Sequence, residues 1–179
     1  MSNSYNRRRF LSLAPLGAAA LVTGSISAQT DAHLPDSVRA VNESFGGDKG
    51  PVLDPAEVQR FVRLSHFDFE SVQSMLEERP QLVHASWDWG NGDFETGLGA
   101  ASHVGNVKIA EYLIANGARI NLFALTMLGQ TAAVKAIVTA HPESLMAKGP
   151  HGLGLLHPAR KGGERAAGLL EWLTEQGAE

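Results

Sequence analysis

Seven histidines and not one cysteine set the terms of any chemistry in this chain. Without a thiol there is no disulfide, no thiolate metal site and no cysteine nucleophile. What remains is imidazole and carboxylate. His66, His103 and His151, with Asp93 and Glu95, are the residues whose types suit a site. Neutral imidazole and carboxylate ligate zinc or another borderline divalent ion. Imidazole beside carboxylate is equally the usual pairing for general acid–base work. No HxH or HExxH spacing puts two of these groups on one turn, so only the fold can bring them together. The run Ala85-Ser86-Trp87-Asp88-Trp89-Gly90-Asn91-Gly92-Asp93-Phe94-Glu95 adds two indoles to a Gly/Asn/Asp-rich segment. Indoles are costly to leave wet, so Trp87 and Trp89 either fold down as a lid over a core or offer contact area to a ligand. Other catalytic patterns are missing. Gly152-Leu153-Gly154 is a lone GxG with no strand before it, and no Gly-x-Ser-x-Gly turn occurs.

The composition narrows the partners. A hydrophobic fraction of 44% is that of a globular domain. Arg7, Arg8 and Arg9 precede the first acidic residue. Setting these three aside, 12 of the 15 basic side chains face all 19 acidic ones, a balance of −7. Phosphate recognition rests on clustered Lys and Arg, so nucleic acid is not the expected partner. Neutral or cationic ligands are compatible with this charge.

Asn6-Arg7-Arg8-Arg9-Phe10-Leu11-Ser12 resembles the twin-arginine export signature. A short apolar stretch follows, Leu11 to Val22, too short for the roughly 20 residues that cross a bilayer core. Small residues at Ser25, Ser27 and Ala28 suit a signal peptidase. Residues 1–28 are therefore expected to be a twin-arginine (Tat) signal peptide, which implies a periplasmic protein without a stable membrane anchor. Residues 29–54, rich in Ser, Gly, Asp and Pro, show no period and read as a flexible linker. Asp54-Pro55 then opens the first helix, with Asp as cap and Pro in the first turn.

From Val58 onward, short helical patterns succeed one another between Gly and Pro breaks, and nothing alternates with period two for long. The clearest unit runs from Glu95 to Asn121. There Thr96, Leu98, Ala101, Gly105, Leu113, Gly117, Ala118 and Asn121 fall in register with the ankyrin repeat, T-P-L-H-x-A-A-x-x-G-H, then a helix, then L-L-x-x-G-A-x-x-N. Gly97 and Gly99 stand where that pattern has Pro and His, which predicts a looser helix start. The stretch from His151 through Leu156-His157-Pro158-Ala159 to Gly177-Ala178 repeats the template. Val58 to Leu82 and Ala124 to Leu145 fit two further pairs, buried through Val72, Met75 and Leu76 and through Val134, Ile137 and Val138. Spacing between pairs is uneven: the surplus lies in 85–95, and the shortfall after Asn121 says that the next finger is nearly absent.

The resemblance implies an all-α fold: an ankyrin-type repeat solenoid of about four helix-turn-helix pairs over residues 55–179, with short finger loops. It implies that His66 and His103, near the ends of first helices, face the concave groove, and that His151 lies in a finger on the same side. It gives His157 a structural role, holding a turn through backbone. Since ankyrin stacks mostly bind proteins, the leading expectation is a periplasmic protein-binding module using Trp87, Trp89, Asp93, Glu95, His66 and His103. Its partner would be another periplasmic protein or a small polar ligand, with no cofactor required. The alternative is a small enzyme with His66, His103, His151 and Glu95 in the groove, acting on a small polar substrate with or without a divalent metal.

Overall fold

The computed structural model describes residues 51–179; the signal and most of the linker expected above lie outside the described residues. Among the described residues the fold is helical apart from one short ribbon. The helices are α1 (Pro55–Leu64), α2 (Phe69–Glu78), α3 (Gly97–Val104), α4 (Val107–Ala115), α5 (Leu122–Met127), α6 (Thr131–Ala140), α7 (Leu156–Lys161) and α8 (Ala167–Glu175).

Five of the eight starts have a side-chain cap. Asp54 accepts from the Ala56 N–H with Pro55 in the first turn of α1, and Asp68 accepts from the Ser71 N–H at α2. Thr96, Asn106 and Asn121 cap α3, α4 and α5 in the same way, through Gly99, Ile109 and Ala124. Between α3 and α4 the chain reverses at Gly105, φ 82°. A Cβ there would be strained by that φ and would also stand 2.7 Å from the Lys161 carbonyl oxygen, so the turn needs glycine twice over.

The helices pack in pairs, α1 with α2, α3 with α4, α5 with α6 and α7 with α8. The first members form a row in which α1 meets α3, α3 meets α5 and α5 meets α7. In addition α3 touches α7, skipping a pair. One apolar cluster joins Phe61, Leu82, Leu98, Ile109, Leu113 and Met127; a second joins Val134, Leu155, Leu169 and Leu173. Val72, Leu76, Val134 and Val138 are buried as the helical pattern requires, with Met75 and Ile137 partly so.

Two local expectations are revised. The helix start at Gly97 is not loose: Gly97, Leu98 and Gly99 are all buried and capped by Thr96. A Cβ on Gly97 would lie 2.8 Å from both Phe61 Cε1 and Ser65 Oγ, so the glycine lets α3 close on α1. The 85–95 segment is also more regular than its composition suggests. Ser86–Asp88 (β1) and Phe94–Thr96 (β2) pair antiparallel, with Trp87 opposite Glu95. The connecting turn is held by the Asp88 carboxylate, which accepts from the Gly90 and Gly92 N–H groups.

The connections between pairs differ in a way that matters for the site. Residues 79–96 carry the ribbon and 141–155 carry a tight turn at Pro150–Gly152, while 116–121 carry no finger. The Pro150–Gly152 turn reaches the end of the ribbon, where the His151 N–H meets Asp93.

Candidate metal centre

The ribbon, α3 and two turns bring His66, Glu95, His103 and His151 together. One ligating atom from each, a ring nitrogen or a carboxylate oxygen, lies within 4.8 Å of all the others. His66 follows the C-cap of α1, Glu95 is in β2, His103 is in the last turn of α3, and His151 is in the Pro150–Gly152 turn.

Glu95 is the centre. Its side chain is 0% exposed because the ribbon turns it inward beside Trp87. Oε2 accepts a 2.7 Å hydrogen bond from Trp89 Nε1 and lies 3.5 Å from His66 Nε2. Oε1 lies 2.8 Å from His103 Nδ1 and 3.5 Å from His151 Nε2. Burial pushes the Glu95 carboxyl up, but the closeness of His103, the Trp89 N–H and the His66 and His103 rings together hold it below its ordinary value. The carboxylate is therefore the ionised form.

The three imidazoles are arranged by their outer nitrogens. His66 Nδ1 is 2.9 Å from the Arg63 carbonyl oxygen and 3.1 Å from that of Val62. Carbonyls only accept, so this nitrogen carries a proton, and Nε2 is the nitrogen turned to Glu95. His151 Nδ1 donates to Asp93 Oδ2 at 2.7 Å, and the His151 backbone N–H donates to Asp93 Oδ1, also at 2.7 Å. That second bond, then burial opposing it, then the ring contact, leave the Asp93 carboxyl below its ordinary value. The same two bonds hold His151 at φ 60°, a left-handed conformation unusual for a non-glycine residue. The His103 ring lies between the other two, with centroids 4.9 Å from His66 and 5.0 Å from His151.

The contact between His103 Nδ1 and Glu95 Oε1 is short, yet it lacks the direction of a hydrogen bond, and both atoms are buried without a hydrogen-bond partner. Leaving two such atoms unsatisfied costs free energy. A cation between them would satisfy both, together with Nε2 of His66 and of His151. The donor set is then three nitrogens and one oxygen, suited to zinc or a neighbouring first-row ion. A tetrahedron about bonds near 2.1 Å has edges of about 3.4 Å, so closing the cluster on an ion needs shifts of roughly an ångström. Asp93 and the Val62 and Arg63 carbonyls occupy the outer positions that orient metal-bound histidines.

The remaining residues divide clearly. Trp87 is half-buried and packs on the first apolar cluster. Of the residues expected as partner contacts, Trp89, His66 and His103 each turn a ring nitrogen to Glu95, while Asp93 bonds His151. His157 Nε2 donates to the His103 carbonyl oxygen at 2.8 Å, so it meets backbone on the neighbouring helix that bears a ligand. His141 is exposed beside Glu143, and His33 lies outside the described residues. Sequence reasoning did not find the donor role of Trp89 or the hold of Asp93 on His151. The Gly90-Asn91-Gly92 run was the available signal, because a three-residue hairpin loop there sets Trp89 opposite Asp93, two residues before Glu95.

No family model, curated protein or solved structure matches the chain.

Proposed function

We propose that this protein is an exported metalloprotein in which an ankyrin-type repeat stack presents one divalent transition-metal ion in its groove, acting on a small polar substrate. The observation that carries the reading is the convergence of His66, His103, His151 and Glu95, with Glu95 Oε1 and His103 Nδ1 buried 2.8 Å apart and in no directed hydrogen bond. The ion would supply Lewis acidity toward an oxygen of the substrate. Glu95 would balance half of its charge. Asp93 and the Val62 and Arg63 carbonyls would fix which imidazole nitrogens face it. A six-coordinate ion such as manganese would keep two positions for that substrate beside four protein ligands, whereas a tetrahedral zinc would be closed by them. The repeat-like sequence from Val58 to Ala178 and the row of helix pairs support the stack, and the resemblance of residues 6–12 to a twin-arginine signature supports export.

The protein-binding reading draws less support, because His66, His103 and Trp89 turn ring nitrogens inward to the buried Glu95, although Trp89 keeps an exposed edge. Metal analysis tests the choice directly. The protein is recovered without a histidine tag and its metal measured by mass spectrometry. About one equivalent of zinc, manganese or iron is expected, lost in His103→Ala. A folded protein that holds no such ion, and takes none up when it is added, removes the proposal.

A further inference from the structure

We propose that Asn91 is a site of spontaneous modification, where the chain converts to isoaspartate through a cyclic imide, and that Asp88 sets the rate. The sequence holds two Asn-Gly pairs, Asn91-Gly92 and Asn116-Gly117. In such a pair no side chain shields the glycine nitrogen from the asparagine amide. The structure tells the two apart. Asn116, at the end of α4, is tethered: its Nδ2 donates to the Tyr112 carbonyl oxygen at 2.8 Å, and the Gly117 N–H donates to that of Ile114. Asn91 and Gly92 are exposed at the tip of the ribbon. Among the described residues none bonds the Asn91 side chain, and a Cβ built on Gly92 would meet nothing within 4 Å.

The Gly92 nitrogen, giving its proton to hydroxide, attacks the Asn91 side-chain carbonyl carbon. A C–N bond forms, the bond to Nδ2 breaks, and ammonia leaves with a proton from water. Water then opens the imide. Attack at the side-chain carbonyl gives aspartate; attack at the backbone carbonyl gives isoaspartate, with one more atom in the main chain. One water enters and one ammonia leaves, with no change of oxidation state. Asp88 opposes the first step. Its carboxylate accepts from the Gly92 N–H at 3.1 and 3.3 Å, so that nitrogen must become an anion beside a negative charge. The loop is short: the Asp93 N–H donates to the Gly90 carbonyl, and the Trp89 N–H to that of Asp93. An added backbone atom between them displaces Asp93, which holds His151. None of this needs an ion.

The protein is aged at mildly alkaline pH, and isoaspartate is located by enzymatic methylation and peptide mass spectrometry. Label is expected at Asn91 and not at Asn116, and is lost from the ribbon in Asn91→Gly, which keeps the left-handed turn. Asp88→Ser, whose hydroxyl still bonds the turn, should react about tenfold faster, the factor for one hydrogen bond to a charged group. Equal label at Asn91 and Asn116, or none at Asn91, overturns the choice of site. An unchanged rate in Asp88→Ser overturns the part given to Asp88.

Discussion

Glu95→Gln separates a metal site from a merely polar groove. The substitution keeps the shape of a side chain that is 0% exposed and removes the cluster's one anionic ligand. Without metal the amide still accepts from Trp89 and relieves a buried charge, so the apo variant should stay within about 1–2 kcal/mol of the parent. With metal the two should part. An ion at 100 times its dissociation constant stabilises the fold by about 2.7 kcal/mol. For an ordered unit of about 130 residues, with an unfolding entropy near 0.27 kcal/mol per degree, the melting temperature rises by about 10 °C. Loss of an outer-shell partner weakens metal binding 10–100-fold, and loss of a ligand should do at least as much. At 100-fold weaker binding and the same ion concentration, the gain drops to about 0.4 kcal/mol, or 1–2 °C. The assay is a thermal melt followed by circular dichroism, after chelator treatment and then with added zinc or manganese. Tryptophan fluorescence should respond in the parent, because Trp89 is hydrogen-bonded to Glu95. Equal metal-induced shifts in parent and variant, or none in a folded parent, would refute the reasoning.

Asp93→Asn should weaken metal binding 10–100-fold by chelator competition while leaving helix content unchanged, because Asp93 holds His151 from outside the four-residue cluster. Gly97→Ala should destabilise by about 1–3 kcal/mol in urea unfolding despite alanine's better helix propensity, since its methyl would meet the Phe61 ring and Ser65 Oγ. Asp68 sits below its ordinary value because the Ser71 backbone N–H, then its hydroxyl, bond the carboxylate. Its contribution is present above the unfolded value near pH 4 and lost as pH falls through the lower folded value, so Asp68→Asn should flatten the acid limb of a stability–pH curve in that window.

The helix pairing was legible because its signals are local: Asp54, Thr96, Asn106 and Asn121 cap helix starts, and Gly105 permits one reversal. His66, His103, His151 and Glu95 were legible as a set because residue type and repeat position agreed. The ribbon was not, since three-residue strands give too few alternations to register as a period. Nor could sequence say which nitrogen of His66 faces inward, because that follows from the Val62 and Arg63 carbonyls left open at the end of α1. The role of Gly97 was hidden for the opposite reason. A weak residue for starting a helix is also the one that lets another helix approach, and only the neighbour decides between them.

The short 116–121 connection has a consequence for how the molecule breathes. In a stack whose units touch only their neighbours, the end units open independently, with lower free energy than the whole. Here Asp93 and His151 meet across 58 positions of sequence, and an ion would tie α1, the ribbon and α3 to the turn before α7. The last pair would then cease to be a frayed end. Amide hydrogens of α7 and α8 should exchange at a rate near that of global unfolding when the centre is loaded, and faster once a chelator empties it. One short connection, 116–121, would thus set the cooperativity of the whole chain.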